Sequence, residues 1–154
     1  MVSNSTLDHF LTRGELATSL AELGRILTAG GRMLLTLDNL ANPMVALRNL
    51  LPFRFLHRIG LVPYYVGATC GPRALRRLLA ASGFQGVSMG ACVHCPRPLA
   101  VLVGRWCERF APKGVQQGYL RFLAGWERLA HWPTRYLTGH FVLAMATKPA
   151  PAGK

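Results

Sequence analysis

The stretch Glu22-Leu-Gly-Arg-Ile-Leu-Thr-Ala-Gly-Gly-Arg-Met-Leu-Leu-Thr-Leu37 decides how the rest of the chain is read. Its first half completes a helix. Leu16, Leu20, Leu23 and Leu27 recur at spacings of four, three and four, which sets them on one helical face. Upstream, Thr12-Arg-Gly-Glu15 fits a capping box, in which a hydroxyl and a carboxylate satisfy backbone donors that the first turn leaves orphaned. Gly30-Gly31 supplies a left-handed stop. The second half, Arg32-Met-Leu-Leu-Thr-Leu37, is nearly continuous in apolar residues, as expected of a strand covered on both faces in a parallel sheet. Asp38-Asn39 ends it.

The same grammar extends outward. Asn42-Pro43 starts a helix, with asparagine as cap and proline in the first turn, running to about Leu51. Residues 53–70 lack periodicity and hold Pro63, Tyr64, Tyr65 and Gly67, which predicts a long, partly ordered loop. Gly71-Pro72 opens a helix with Leu75, Leu78 and Leu79 on its apolar face, and Gly83-Phe84 closes it. Residues 85–93 read as a glycine-interrupted strand. Residues 96–110 read as a helix with Leu99, Leu102, Val103 and Trp106 along one side, broken by Pro112 and Gly114. A further helix over 116–130 is expected to bury Tyr119, Phe122, Leu123, Trp126 and Leu129. Residues 140–147 read as a strand and 149–154 as a disordered tail. Helices alternating with strands predict an α/β domain with a largely parallel sheet. Three strands are few for such a sheet, and half a sheet would expose an apolar edge.

Composition excludes several classes. At 154 residues, the chain is one domain or part of one. With 51% hydrophobic residues it is no disordered tail. The formal net charge is +12, from 18 basic and 6 acidic residues, and fifteen of the bases are arginine. They are scattered, so we read them as compositional rather than as a nucleic-acid footprint, which needs clustering on one face. Four cysteines make no disulfide framework. Cys92-Val-His94-Cys95 has the spacing of half a zinc site, but no second pair accompanies it, so no metal is expected. His57, His94, His131 and His140 share no metal-ligand spacing and read as structural. The N-terminus has no signal-peptide pattern and no segment reads as a transmembrane helix, so a cytoplasmic location is expected.

In order and spacing, Leu20, Glu22, Leu23, Arg25, Ile26, Leu27, Gly30, Gly31, Arg32 and Leu34 resemble the motif between the fourth and fifth strands of class I S-adenosylmethionine-dependent methyltransferases. The methyltransferase type 11 group is the nearest. Ala29 stands where that motif usually has proline. Ser82-Gly83-Phe84 is similar to the family's helix ending, and residues 140–149 to its last, antiparallel strand. The resemblance implies a partial Rossmann-like methyltransferase fold, comprising the C-terminal strands and helices of the sheet. It sets an incomplete domain over 1–148, with a helical insertion at about 96–132 before the last strand. It also implies S-adenosylmethionine as cofactor and a small-molecule or lipid-like methyl acceptor. The glycine-rich loop and the strand-end acid that hold the cofactor have no counterpart here. The chain would then be a truncated product, one half of a split enzyme completed by a second chain, or a remnant serving as an interaction module.

The resemblance also nominates residues. Ser3, Asn4 and Ser5 match the loop after the fourth strand, which lines the cofactor. Asp8 and His9 follow: His9 is a candidate general base, since imidazole titrates near neutrality, or merely orients the next helix. Asp38, Asn39 and Asn42 lie at the carboxyl end of a strand, where open α/β sheets bind ligands. Asn39 is taken as a substrate contact, while turn formation and capping explain Asn42 equally well. Tyr64 and Tyr65 would stack on substrate or anchor their loop. Trp106, Trp126 and Trp132, with Tyr119 and Phe122, are read as core.

Overall fold

The computed structural model describes residues 1–7, 10–58 and 67–150. Its strands are β1 (Val2–Asn4), β2 (Arg32–Asp38), β3 (Gln85–Cys92) and β4 (Phe141–Thr147). Its helices are α1 (Arg13–Ile26), α2 (Pro43–Leu50), α3 (Phe53–Arg58), α4 (Pro72–Ala81), α5 (Arg97–Phe110), α6 (Lys113–Trp126) and α7 (Arg135–Thr138), with a 3-10 segment at Glu127–His131. The strands form a four-stranded sheet in the order β1-β2-β4-β3.

The helix–glycine–strand unit forms as its sequence dictates. Thr12 Oγ1 accepts the Glu15 N–H at 3.2 Å, while the Glu15 carboxylate accepts from the Leu11 N–H at 2.9 Å. Gly30 has a φ of +73°. A Cβ on Gly31 would meet the Thr28 carbonyl at 2.7 Å, so the turn is closed to any larger residue. Lys148 Nζ donates to the carbonyls of Arg25 and Leu27, putting a cation on the negative end of α1 and tying it to the end of β4.

The core lies on one face of the sheet. Met33, Leu35 and Leu37 of β2 and Val142, Ala144 and Ala146 of β4 alternate inward against Leu16 and Leu20 of α1 and Leu75 and Leu79 of α4, all fully buried. Each such leucine contributes about 1.5–3 kcal/mol over its exposed state. The opposite face is thinly covered. Leu34, Thr36 and Leu143 are half-buried and Met145 is exposed, so β2 lacks the double coverage expected from its apolar run.

Four expectations are corrected. A fourth strand, β1, exists, and it pairs in parallel with β2, setting Ser3 opposite Leu35. The sheet is not largely parallel between neighbours. β4 enters between β2 and β3 and is antiparallel to both, as the resemblance implied for the last strand, so β1–β2 is the parallel pair among the described strands. Residues 53–58 form α3 rather than loop, and α6 begins at Lys113 and runs through Gly114. Finally, α6 buries no residue and α5 buries only Cys107, while Trp106, Phe122 and Trp132 are exposed rather than core.

Candidate functional site

Because β1 and β2 are parallel, their carboxyl ends open on the same edge of the sheet, the side where open α/β sheets take ligands. At the end of β1, Ser3 and Asn4 lie within the strand, not in the loop assigned to them, and Ser5 is the first residue beyond it. Ser5 has a φ of +50°, uncommon for a residue with a side chain. Its N–H donates to both the carbonyl and Oγ1 of Thr36, at 3.1 and 3.0 Å. The Thr36 hydroxyl in turn donates to Asn4 Oδ1 at 2.6 Å. The three residues thus form one strap onto β2.

At the end of β2 sits a buried charge cluster. Asp38 Oδ2 accepts from an Arg48 guanidinium nitrogen at 2.5 Å, and Oδ1 lies 3.7 Å from His140 Nε2. The Asp38 carbonyl accepts the Thr69 hydroxyl. Burial pushes the His140 pKa below its ordinary value. Asp38 acts against that shift, and the Arg97 and Arg48 cations reinforce it. Neither Arg48 Nε nor His140 Nε2 has a hydrogen-bond partner among the described residues.

Beside this cluster a cleft of about 530 Å³ opens between α2, α3, the start of α1 and residues 67–69. Arg48 and Thr69 lie in its wall with Leu51, Phe53, Leu56 and Arg13. The cleft lining thus mixes apolar side chains with two arginines, and Arg48 joins it to Asp38. An aspartate and an arginine ten residues apart, on a strand end and the following helix, were the sequence signal for this pairing. His140 joins them only through the entry of β4 beside β2.

Asn39 is fully buried and its amide is committed internally. Nδ2 donates to the carbonyls of Tyr136 and Gly139 at 2.7 and 2.9 Å, and Oδ1 accepts the Ala41 N–H at 3.0 Å. This geometry makes it a clamp on the segment leading into β4 and leaves no group to offer a substrate. Asn42 caps α2, accepting from the Met44 and Val45 N–H groups, and donates to the carbonyls of Thr138 and Gly139. Two amides thus converge on the Gly139 carbonyl. His9, Tyr64 and Tyr65, with Asp8, lie outside the described residues.

At the carboxyl end of β3, on the same edge of the sheet, the Glu127 carboxylate accepts the N–H groups of Val93 and His94, at 3.2 and 3.1 Å. The His94 ring lies between Thr138 Oγ1 and the Ala91 carbonyl. Burial, aided by Glu127, pushes the Cys92 and Cys95 thiols up, away from the thiolate a metal would need. Among the described residues no three metal-ligating side chains gather, and no helix is long and apolar enough to cross a membrane.

No family model matches the chain and no curated protein does. Solved structures do. Phosphoethanolamine N-methyltransferase 2 of Haemonchus contortus, in complex with S-adenosyl-L-methionine, matches with a TM-score of 0.53 and 15% identity, over 96% of this chain and 32% of that one. A SAM-dependent methyltransferase from Archaeoglobus fulgidus matches with a TM-score of 0.52 and 14% identity, over 96% and 57%. The [4+2]-cyclase SpnF matches with a TM-score of 0.51 and 16% identity, over 97% and 49%. The chain thus has the fold of part of a class I methyltransferase, and it spans only a third to just over half the length of these structures.

Proposed function

We propose that the chain is the acceptor-side, C-terminal half of an S-adenosylmethionine-dependent methyltransferase. It works once a cofactor-holding half is supplied, either on a longer form of the same polypeptide or on a second chain. The observation that carries this reading is the unfinished sheet. The outer edge of β1 has no strand against it among the described residues, and Val2 on it is 70% exposed. One sheet face is also half bare. Both are where further strands and helices would add.

The described residues do not fit the cofactor by themselves. The carboxylate at the end of β2, Asp38, is buried and tied to Arg48, so it is unavailable to accept ribose hydroxyls. No glycine-rich turn follows β1. What this chain brings is the floor and far wall of a pocket. Ser3, Asn4 and Ser5 would border the cofactor, and the cleft between α2 and α3 would orient the acceptor and exclude water. His9 would hold or take a proton if the acceptor needs one removed, and Tyr64 and Tyr65 would pack on it. With Arg48 answered by Asp38, Arg13 and Thr69 beside the apolar lining favour an acceptor with an anionic or polar end and an apolar body, a small molecule or a lipid-like one. We assign the work to the cytoplasm, in keeping with the free thiols of Cys92, Cys95 and Cys107.

The test is to purify the protein from its native source through a C-terminal tag and identify by mass spectrometry any N-terminal extension or co-purifying chain. That sample and the 154-residue chain are then titrated with S-adenosylhomocysteine by calorimetry. Binding by a sample carrying a G-x-G-x-G segment, and none by the folded chain alone, is expected. Binding by the chain alone would refute the need for a second half. An intact assembly that binds nothing would refute the methyltransferase reading and favour a protein-interaction module docking through the β1 edge.

A further inference from the structure

The α5–α6 hairpin carries an apolar surface that the fold does not use. The two helices pack antiparallel through small and polar contacts. Tyr119 OH donates to the Ala100 carbonyl, Gln116 Nε2 donates to those of Cys107 and Ala111, and Gly104 faces the Tyr119 ring. Those contacts fix the line along which each helix faces the other. On α5, Leu99, Leu102, Trp106 and Phe110 recur at spacings of three, four and four, and they are 57–68% exposed. On α6, Val115 and Phe122, two turns apart, are also at least half exposed.

At about 100° per residue, the stripe lies roughly a third of a turn from the line of contact on α5 and roughly a quarter turn on α6. Viewed from each helix's own N-terminus, the offset has the same sense. Because the helices are antiparallel, the two stripes emerge on the same side of the hairpin. The result is an apolar ridge of two aromatic rings on α5, one on α6 and three aliphatic side chains. The same wheel sets Arg105 and Arg109 along the outer flank of the α5 stripe and Arg121 along the outer flank of the α6 stripe. Residues 97–126 hold five cations and one carboxylate, Glu108.

We propose that this ridge is an attachment site for an anionic lipid surface, with the aromatic and aliphatic side chains in the headgroup boundary and the flanking arginines on lipid phosphates. An apolar stripe rimmed by cations is what an interfacial helix needs. Arginine stems lie on the apolar surface while their heads reach the charge. Charge complementarity sets the occupant. A second copy of this chain would bring the same arginines together with almost no carboxylates to answer them. Nucleic acid would answer the arginines but leave the apolar ridge in water. The strand edge that a cofactor-holding half would extend lies at the opposite side of the sheet. The hairpin follows β3, and the strand edge open to that half is β1, roughly 14 Å away across three strand spacings.

The test uses the full chain with sedimented vesicles of phosphatidylcholine alone, or with about one-third phosphatidylglycerol. Binding to the anionic vesicles alone, weakening with salt, is expected, with a blue shift of tryptophan emission that Trp106→Phe removes. Leu102→Glu combined with Trp106→Glu should cut binding about tenfold or more. Arg105→Glu with Arg109→Glu should do the same and flatten the salt dependence. All four positions are exposed, so circular dichroism should show the variants folded. Equal binding to both vesicles or to neither would overturn the proposal. So would a dimer in light scattering that Leu102→Glu abolishes, or oligonucleotide binding without vesicle binding. A vesicle-bound chain whose Trp106 emission stays unshifted would overturn the assignment to this ridge.

Discussion

Replacing Asn39 with alanine separates a structural clamp from a ligand contact. The side chain is fully buried, and its three hydrogen bonds reach the carbonyls of Tyr136 and Gly139 and the N–H of Ala41. Gly139 keeps a second donor, Asn42 Nδ2 at 3.2 Å. The substitution therefore strands two backbone groups, the Tyr136 carbonyl and the Ala41 N–H. A buried polar group left unpaired costs about 1–3 kcal/mol. Both bonds are only partly shielded, so water recovers some of that, and the net loss should be about 2–4 kcal/mol. With a urea dependence of about 2 kcal/mol per molar, the unfolding midpoint should fall by roughly 1–2 M at unchanged slope. Urea unfolding followed by circular dichroism measures this directly. A midpoint shift equivalent to less than about 0.5 kcal/mol, the range of ordinary surface changes, would refute the clamp.

The remaining predictions concern the same end of the sheet. Gly139→Ala usually gains about 0.4–1 kcal/mol through the unfolded chain. Here the new Cβ would sit 2.6 Å from Ala91 Cβ and 3.0 Å from the Arg135 carbonyl, so a net loss of about 1–3 kcal/mol is expected in the same urea assay. Asp38→Asn leaves the mostly buried Arg48 without its counter-charge and should cost about 3 kcal/mol, partly recovered by adding Arg48→Met. His140 has a lowered pKa in the fold, so below its ordinary value of 6.5 the unfolded chain binds the proton first. Stability is therefore full above that pH and falls as the pH drops toward the folded value, and His140→Gln should flatten the slope. Val93 is a β-branched residue at a φ of +60°, strained by about 1–2 kcal/mol. Val93→Gly should accordingly unfold at an equal or slightly higher urea concentration, where Val93→Ala gains nothing.

What the sequence made legible was local. Thr12, Asn42, Pro43 and Gly83 act on neighbours within a few residues, and the structure has each at or beside the helix boundary it marks, whereas α1 ends at an extended Leu27, three residues before the left-handed Gly30. Long-range pairings were another matter. β1 is three residues long, too short to show alternation, and exists only because β2 lies beside it. The entry of β4 between β2 and β3 is invisible to periodicity, yet it brings His140 to Asp38 and gives Asn39 its partners. The tryptophans were misread for a related reason. Helical spacing shows that Trp106 and Phe110 share a face, but it cannot say whether anything covers that face.

The same distinction limits how far fold carries function. SpnF has this fold and is named for a [4+2] cyclisation, so the sheet order alone does not choose the reaction. The choice rests on which groups stand at the carboxyl ends of β1 and β2. There the carboxylate is already matched by an arginine, the asparagines are spent on backbone groups, and Arg48 carries the cluster to the wall of the neighbouring cleft. On the reading proposed above, this edge of the sheet serves the acceptor rather than a nucleoside. The binding of a cofactor is then left to whatever completes the edge of β1.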